Sequence, residues 1–161
     1  MEEVLTAGQP RPLQQRKADT LAKLTAPAAD GWIATASAEP GHDPRPYLVP
    51  LSIAWIDETV VIAVDAASRT AANLRRTGTA RVGLGPTRDV VLIDVTARAS
   101  HPQSEVPERL ARSYAAQADW DPSEPGGTNV YFVLEPMRIQ AWREVNELAG
   151  RTLMSRGRWT V

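Results

Sequence analysis

The pattern of hydrophobic and polar residues predicts a chain built mostly of strands. Residues 60–64 (VVIAV) form a continuous apolar run, typical of a strand buried on both faces. Residues 89–99 (DVVLIDVTARA) and 47–55 (YLVPLSIAW) instead alternate between apolar and polar or small side chains. Pro50 has no N–H group to donate, so the second of these predicts an edge strand or a local bulge. The remaining predicted strands are residues 32–37, residues 80–84 and one long strand that covers 129–135 and 138–145 and is interrupted at Pro136, and residues 150–161 can add a last one.

Three segments carry helical signals instead. Residues 13–24 and 104–118 place apolar residues at helical spacing, and both are predicted helices. Residues 69–77 follow Ser68, a good N-cap, and precede Gly78, which adopts the left-handed conformation at a helix end without strain. A third helix is therefore predicted between the strands that begin at residues 60 and 80.

The order of these elements predicts the fold class. Six to seven strands joined mostly by short turns favour antiparallel pairing in a closed or partly closed barrel, with helices at its periphery. This is a mainly β (α+β) architecture rather than an alternating parallel sheet. A length of 161 residues fits one domain over residues 1–161, in which residues 1–12 are expected to be flexible.

Composition excludes several kinds of function. The net charge of −1 disfavours nucleic-acid binding, and the absence of cysteine excludes disulfides and thiolate chemistry. His42 and His101 are the only histidines, so a histidine-based metal site or catalytic triad is not expected. No apolar run has the roughly 20 residues of a membrane helix, and no signal-peptide pattern opens the sequence. A cytoplasmic protein without a membrane partner is expected.

One local arrangement suggests a ligand. A helix start presents N–H groups without partners and a partial positive charge, and Ser68, Arg69 and Thr70 lie there. Asn73 follows one turn later on the flank of the helix. These residues can hold a phosphate group, or they can simply form a capped helix on the protein surface. The residues alone leave both interpretations open.

The order of several motifs carries a resemblance to a known family. The chain resembles the pyridoxamine 5′-phosphate oxidase-like family of FMN-binding split β-barrels, whose actinobacterial branch includes enzymes that use the deazaflavin F420. The likeness extends from about residue 30 to the C-terminus. The segments that carry it are Arg45–Trp55 (RPYLVPLSIAW), Ser68–Arg76 (SRTAANLRR), Gly85–Asp94 (GPTRDVVLID) and the tail Ala141–Trp159.

The resemblance implies a split β-barrel homodimer with two cofactors, FMN or F420, at the subunit interface. In the family, the strand after the first loop lines the flavin ring, which here corresponds to Pro50, Leu51, Ser52 and Ile53. Arg45 matches an arginine often found where that strand begins.

The family's phosphate-binding segment corresponds to Ser68, Thr70 and Asn73, with Arg69 supplying positive charge. Thr70 stands where many relatives carry lysine, so the phosphate ligands depart from the common pattern. The second basic group that grips substrate phosphate in true pyridoxamine 5′-phosphate oxidases is also absent, and we do not expect synthesis of pyridoxal phosphate.

Five tryptophans are unusual for this length. Trp32, Trp55 and Trp142 lie in predicted strands and are expected to pack in the core or in a dimer interface. Trp159 is either a packing residue or, by the resemblance, a cofactor-binding residue that covers the flavin ring. Trp120 lies in a loop and can line a substrate pocket.

The resemblance favours an oxidoreductase that transfers hydride to or from a small organic substrate. The sequence offers no general acid or base, so no catalytic residue is assigned, and the cofactor is expected to carry the chemistry. A cofactor-binding or carrier protein without turnover fits equally well. Haem binding, through His42 or His101, is a further alternative. Whether the cofactor is FMN or F420 depends on whether arginines such as Arg75 and Arg76 extend a basic groove beyond the phosphate.

Overall fold

The fold is a single antiparallel sheet with three peripheral α-helices, which confirms the mainly β (α+β) prediction. A computed structural model describes residues 8–161. The helices are α1 (Leu13–Leu24), α2 (Arg69–Thr77) and α3 (Glu108–Ala118), with a 3-10 turn at Val145–Glu147. The strands are β1 (Asp30–Ala36), β2 (Pro46–Ser52), β3 (Ala54–Ile56), β4 (Thr59–Asp65), β5 (Thr79–Leu84), β6 (Val90–Pro102), β7 (Asn129–Trp142), β8 (Thr152–Ser155) and β9 (Arg158–Trp159).

The sheet follows a path whose two ends are neighbours in the chain. Its strand order is β2-β1-β5-β6-β7-β4-β3, and the short β8 and β9 strands extend from β7. Strands β2 and β3 form the two ends of this path, although only Ile53 separates them in the sequence. The sheet therefore curls back on itself without closing by hydrogen bonds, which leaves a gap along the free edge of β2.

The hydrogen-bond register determines which backbone groups of β2 border this gap. The Ser37 N–H donates to the Arg45 carbonyl at 3.0 Å, and the Ile53 N–H donates to the Ala29 carbonyl at 2.9 Å. Because pairing alternates along antiparallel strands, every second residue between these two points turns its backbone groups away from β1. Those residues are Pro46, Leu48, Pro50 and Ser52. The two prolines lack N–H groups, which protects the free edge from pairing with another strand, and the predicted edge position of Pro50 is confirmed.

The core occupies both faces of β4. Residues Thr59–Val64 are all buried, as the unbroken apolar run predicts. On one side Ile62 packs in the main core with Ile33 and Leu74. On the other side, Ala63 packs with Tyr114 of α3 in a second cluster. Strand β4, which is packed on both faces, lies opposite the free edge of β2.

Local boundaries differ from the predictions at three places. The predicted strand 47–55 breaks at Ile53, whose buried side chain marks the turn from β2 into β3. Helix α3 begins at Glu108 rather than residue 104, because a residue preceding proline, here Val106 before Pro107, disfavours the helical conformation. The tail forms two short strands rather than one, and together with the break at Ile53 this gives nine strands in the described residues instead of six or seven.

The N-terminal segment predicted to be flexible divides into two parts. Residues 1–7 lie outside the described residues. Arg11, in contrast, is anchored, since its backbone N–H and its guanidinium both donate to Glu147 at 2.8–3.0 Å. A further bond joins the Arg11 guanidinium to Asp19 of α1 at 2.7 Å. This cluster of charges holds the start of the described chain against the C-terminal half.

Candidate functional site

The start of α2 is built as the sequence predicts. Ser68 is the N-cap, and its Oγ accepts the Ala71 N–H at 3.2 Å. The Ala72 N–H donates to the Ser68 carbonyl at 3.0 Å. Helix geometry leaves the N–H groups of Arg69 and Thr70 without an acceptor within the helix. Two backbone donors and the positive end of a helix of nine residues are therefore available to an anion.

The turn that leads into α2 is held rigidly. The Asp65 carboxylate accepts the Ala67 N–H and the Thr128 hydroxyl, both at 2.7 Å. The Thr128 and Ala67 bonds lower the pKa of Asp65. From the last turn of α2, the Arg75 guanidinium donates to the Ala66 carbonyl at 2.6 Å. The helix start thus keeps its position without a ligand.

A polar cavity of about 480 Å³ opens beside this helix start. Arg45 and Arg69 contribute positive charge, whereas Glu39 and Asp43 contribute negative charge. The residues that line it are Ser37, Glu39, His42, Asp43, Arg45, Pro46, Ala67, Ser68, Arg69, Ala72 and Asn73. Positive groups and backbone donors therefore meet near Arg69, although the cavity as a whole is not strongly basic.

An apolar cavity of about 360 Å³ lies on the other side of Ser68, in the gap between β2 and β4. Its lining is Tyr47, Val49, Pro50, Leu51, Ser52, Ala63, Val64, Asp65, Ser68, Thr70, Trp120 and Asn129. Asp65 is its only charged residue, and both carboxylate oxygens of Asp65 already accept hydrogen bonds. Because the backbone groups of Pro50 and Ser52 face away from β1, this cavity combines apolar walls with a polar strand edge.

The two cavities share Ser68 and form one elongated site. Near their junction, the Arg69 guanidinium lies 5.6 Å from the centre of the Tyr47 ring, a cation–π contact that holds the arginine over the start of β2. The site is therefore polar and partly cationic at one end and apolar at the other. This polarity suits an elongated ligand with an anionic group and a flat ring.

The structure brings together eight of the ten residues that the sequence and the resemblance indicated. Those that line the polar cavity are Arg45, Ser68, Arg69 and Asn73. Those that line the apolar cavity are Pro50, Leu51, Ser52, Ser68 and Thr70.

The other two candidates lie elsewhere. Ile53 has no exposed surface and belongs to the main core, so its side chain contacts no ligand in this conformation. Trp159 lines a separate cavity with Arg98 and Glu135, and its ring is covered by the Lys17 ammonium at 4.7 Å. A role for Trp159 at the site requires a second copy of the chain and stays a prediction.

Asn73 has a structural partner that the sequence did not reveal. It is buried, and its Nδ2 donates to the Thr35 hydroxyl on β1 at 3.0 Å. This bond attaches α2 to the sheet and orients the amide at the floor of the polar cavity. The pairing joins residues 38 positions apart, so no local pattern could have indicated it.

Tyr47 and Asp65 are among the lining residues that sequence reasoning did not assign to the site. Tyr47 lies beneath Arg69, and Asp65 organises the turn before α2. The alternation of Tyr47 with Val49 on one face of the predicted strand was the available signal for Tyr47.

The other aromatic predictions have mixed outcomes. Trp32 is 54% exposed and therefore not a core residue, whereas Trp55 and Trp142 are partly buried. Trp120 lines the apolar cavity, as expected for a residue at the edge of a pocket.

The described residues show no group of histidine, cysteine or carboxylate side chains that could hold a metal ion. Among the same residues, no helix is long and apolar enough to cross a membrane. A catalytic residue stays unassigned.

Comparison with known proteins identifies the fold. No protein-family model matches the sequence, and no curated protein matches it. Among solved structures, an F420 reductase superposes with a TM-score of 0.56 and 13% identity, covering 73% of this chain and 94% of its own. A protein from Listeria innocua, described as a candidate pyridoxamine 5′-phosphate oxidase, superposes with a TM-score of 0.57 and 16% identity. The match covers 81% of this chain and 98% of that protein.

A haem-binding protein from Mycobacterium smegmatis superposes with a TM-score of 0.60 and 18% identity. The match covers 91% of this chain but only 59% of that longer protein. At such identities the comparisons establish the fold alone. The chain has the split-barrel fold of pyridoxamine 5′-phosphate oxidase-like proteins, a fold that an F420 reductase and a haem-binding protein share.

Proposed function

We propose that this protein is an oxidoreductase that binds FMN or F420 at a homodimer interface and transfers hydride to or from a small organic substrate. The observation that carries the proposal is the elongated site, in which a helix start with Arg69 adjoins an apolar cavity along the free edge of β2. When bound, the cofactor supplies the hydride chemistry, and the protein supplies position, electrostatics and exclusion of water.

The anionic end of the cofactor fits the polar cavity. The free N–H groups of Arg69 and Thr70 can donate to phosphate oxygens, and the Arg69 guanidinium adds charge. Arg45 lines the opposite wall. Since Asp65 lines only the apolar cavity, its negative charge disfavours the reverse orientation.

The ring fits the apolar cavity because it offers both apolar walls and unpaired backbone groups. Val49 and Leu51 line it. The outward carbonyl of Pro50 can accept a hydrogen bond from the N–H group at the polar edge of a flavin or deazaflavin. An apolar site with a few directed polar groups is typical of cofactor pockets.

The charge of the polar cavity favours FMN over F420. Arg75 is engaged by the Ala66 carbonyl, and Arg76 is exposed outside the cavity. Glu39 and Asp43 offset the charge of the two arginines that do line it. A single phosphate suits this balance, whereas the carboxylate-rich tail of F420 would meet like charges beyond Arg69.

An exposed apolar surface supports the proposed homodimer. Trp32 (54% exposed), Leu48 (59%) and Met137 (36%) lie on the outer face of the sheet, where Trp32 adjoins Pro50 and Met137 adjoins Ala34. Large contiguous apolar patches on a protein surface commonly mark interaction sites. Since Leu48 and Pro50 belong to β2, a second copy docked on this face would cover the edge of the ring site.

The phosphate assignment is tested by comparing FMN with riboflavin, which lacks the phosphate. Arg69→Ala should weaken FMN binding by about tenfold or more, equivalent to about 1.4 kcal/mol, and leave riboflavin binding nearly unchanged. Arg76→Ala, an exposed arginine on the same helix, is the matched control and should change neither. Equal losses for both ligands would contradict the orientation, and absence of binding to FMN and F420 at micromolar concentration would refute the function.

Turnover separates an enzyme from a carrier. The bound cofactor is reduced anaerobically and mixed with enone, quinone and tetrapyrrole acceptors. Saturable reoxidation by one of these classes supports the oxidoreductase, whereas reoxidation by none of them supports a cofactor carrier.

The homodimer is tested by sedimentation velocity. Combining Trp32→Glu and Leu48→Glu should give a monomer with weakened cofactor binding. Val145→Glu is the control, because Val145 is an apolar residue that is 77% exposed outside this surface. Its substitution should leave the dimer intact. A wild-type protein that is monomeric at micromolar concentration would exclude the interface.

Haem binding is a second candidate, supported by His42 in the lining of the polar cavity and by the haem-binding protein that shares the fold. A Soret band that appears on haem addition and is lost in His42→Ala would favour it. Its absence would exclude this candidate.

A further inference from the structure

Trp120 stands at the apolar end of the site in a defined orientation. It follows α3 in the chain, is 45% exposed, and lines the apolar cavity together with Pro50 and Leu51. Its ring meets the Tyr114 ring edge-on, with centroids 6.3 Å apart and planes at 72°. The Trp120 ring is thus held in place by its contact with Tyr114, and Trp120 presents a large aromatic surface to the cavity.

Tyr114 connects this tryptophan to the free edge of β2. The Tyr114 side chain is fully buried, and its hydroxyl donates to the Ser52 carbonyl at 3.2 Å. Trp120 is therefore tied through Tyr114 to the last residue of β2. At the first turn of α2, Arg69 is held over Tyr47, close to the opposite end of the same strand.

The contacts at Tyr47 and at Ser52 define the two ends of the site along β2. From Tyr47 to Ser52 the strand advances by five residues, or about 17 Å at the usual rise of about 3.3 Å per residue. A ligand whose anionic group rests on Arg69 extends along β2 toward Trp120. Whatever ring it carries ends beside the indole.

We propose that Trp120 is the aromatic residue that contacts the ring of the bound flavin or deazaflavin, in the role for which Trp159 was considered. The inference rests on the proposed function, because it assumes that such a ring occupies the apolar cavity. Aromatic rings pack favourably in stacked or edge-to-face arrangements, beyond the contribution of the buried area. Trp159 lines a different cavity and already packs against Lys17.

Contact with an indole quenches the fluorescence of a flavin, because the excited ring takes an electron from the indole at short range. Bound FMN should therefore have a short fluorescence lifetime in the wild-type protein. Trp120→Phe should lengthen that lifetime severalfold and weaken FMN binding by a few-fold. Trp142→Phe, at a partly buried tryptophan that ends β7 and lines neither cavity, is the matched control and should leave both quantities at their wild-type values.

Binding is measured separately through the flavin absorbance, so two kinds of failure are distinguishable. If FMN binds and the lifetime is unchanged in Trp120→Phe, the inference is wrong. If the lifetime lengthens instead in Trp159→Phe or in Tyr47→Phe, the ring contact belongs to that residue, which also overturns the inference. If no variant and no wild-type protein binds FMN or F420, the proposed function itself fails, and the role of Trp120 fails with it.

Discussion

Two tyrosines of the cluster beneath α3 form a natural pair for a stability test. Tyr114 and Tyr131 are both fully buried, and their rings meet edge-on with centroids 5.6 Å apart. The Tyr114 hydroxyl donates to the Ser52 carbonyl, whereas the Tyr131 hydroxyl has no hydrogen-bond partner among residues 8–161. Burial raises the pKa of each phenol to about 12, so both are neutral donors at physiological pH.

The same substitution should therefore have opposite effects at the two positions. A buried polar group without a partner costs about 1–3 kcal/mol, so Tyr131→Phe should raise the free energy of unfolding by about 1 kcal/mol. Tyr114→Phe removes a hydrogen bond with a typical net value of about 1 kcal/mol and should lower the free energy of unfolding by that amount. The two variants should thus differ by about 2 kcal/mol, although each loses only one oxygen atom.

Urea denaturation with global fitting measures this difference, and the slope should be equal in both variants because the surface exposed on unfolding is unchanged. Thermal unfolding should show shifts of about 2–4 °C in opposite directions. Thr20 of α1 offers an independent check, since its buried hydroxyl also has no partner in the described part of the chain. Thr20→Val should stabilise as well. A Tyr131→Phe variant destabilised as much as Tyr114→Phe would refute the reasoning and show that the Tyr131 hydroxyl is hydrogen-bonded in solution.

Three further predictions concern the rest of the fold. Pairing with Arg11 lowers the pKa of Glu147 from 4.5 to about 2. The ionised Glu147 therefore stabilises the fold by on the order of 3 kcal/mol, a contribution that is complete above about pH 4.5 and is lost as the pH falls through about 2. Over this pH range the urea midpoint should fall more steeply in the wild type than in Glu147→Gln. Gly78→Ala should lower the unfolding free energy by about 1 kcal/mol, because this residue has a φ of 69°, and an unchanged melting temperature would contradict it. Asn73→Ala should cost about 1–2 kcal/mol through loss of the bond to Thr35, and a melting temperature equal to the wild type would show that this bond contributes little.

Much of the local structure could be predicted because short-range chemistry determines it. The bounds of α2 follow from Ser68 and Gly78, whose capping interactions involve only neighbouring residues. The buried apolar run of β4 was evident from its β-branched residues. Pro50 predicted either an edge strand or a local bulge, because a proline cannot donate a ladder hydrogen bond, and β2 lies at the edge. In each case the physical cause lies within a few residues of the feature.

The site was only partly accessible to such reasoning. The anion-binding character of Ser68, Arg69 and Thr70 could be predicted from helix chemistry, and the motif order pointed to Pro50 and Leu51 as ring contacts. The position of Ile53 could not be predicted in this way. The chain turns at Ile53 from β2 into β3, and the Ile53 side chain is buried in the core.

The sequence by itself determined the elements, their capping and the anion preference of one helix start, because these depend on interactions along a short stretch of chain. Only the tertiary structure decided which surfaces meet. It placed the free edge of β2 opposite β4, attached Asn73 to Thr35, and brought Trp120 through Tyr114 to the end of the strand. The Asn73–Thr35 and Tyr114–Ser52 hydrogen bonds join residues 38 and 62 positions apart, so no short-range pattern contains them. The gap beside β2 exists because the sheet curls without closing by hydrogen bonds.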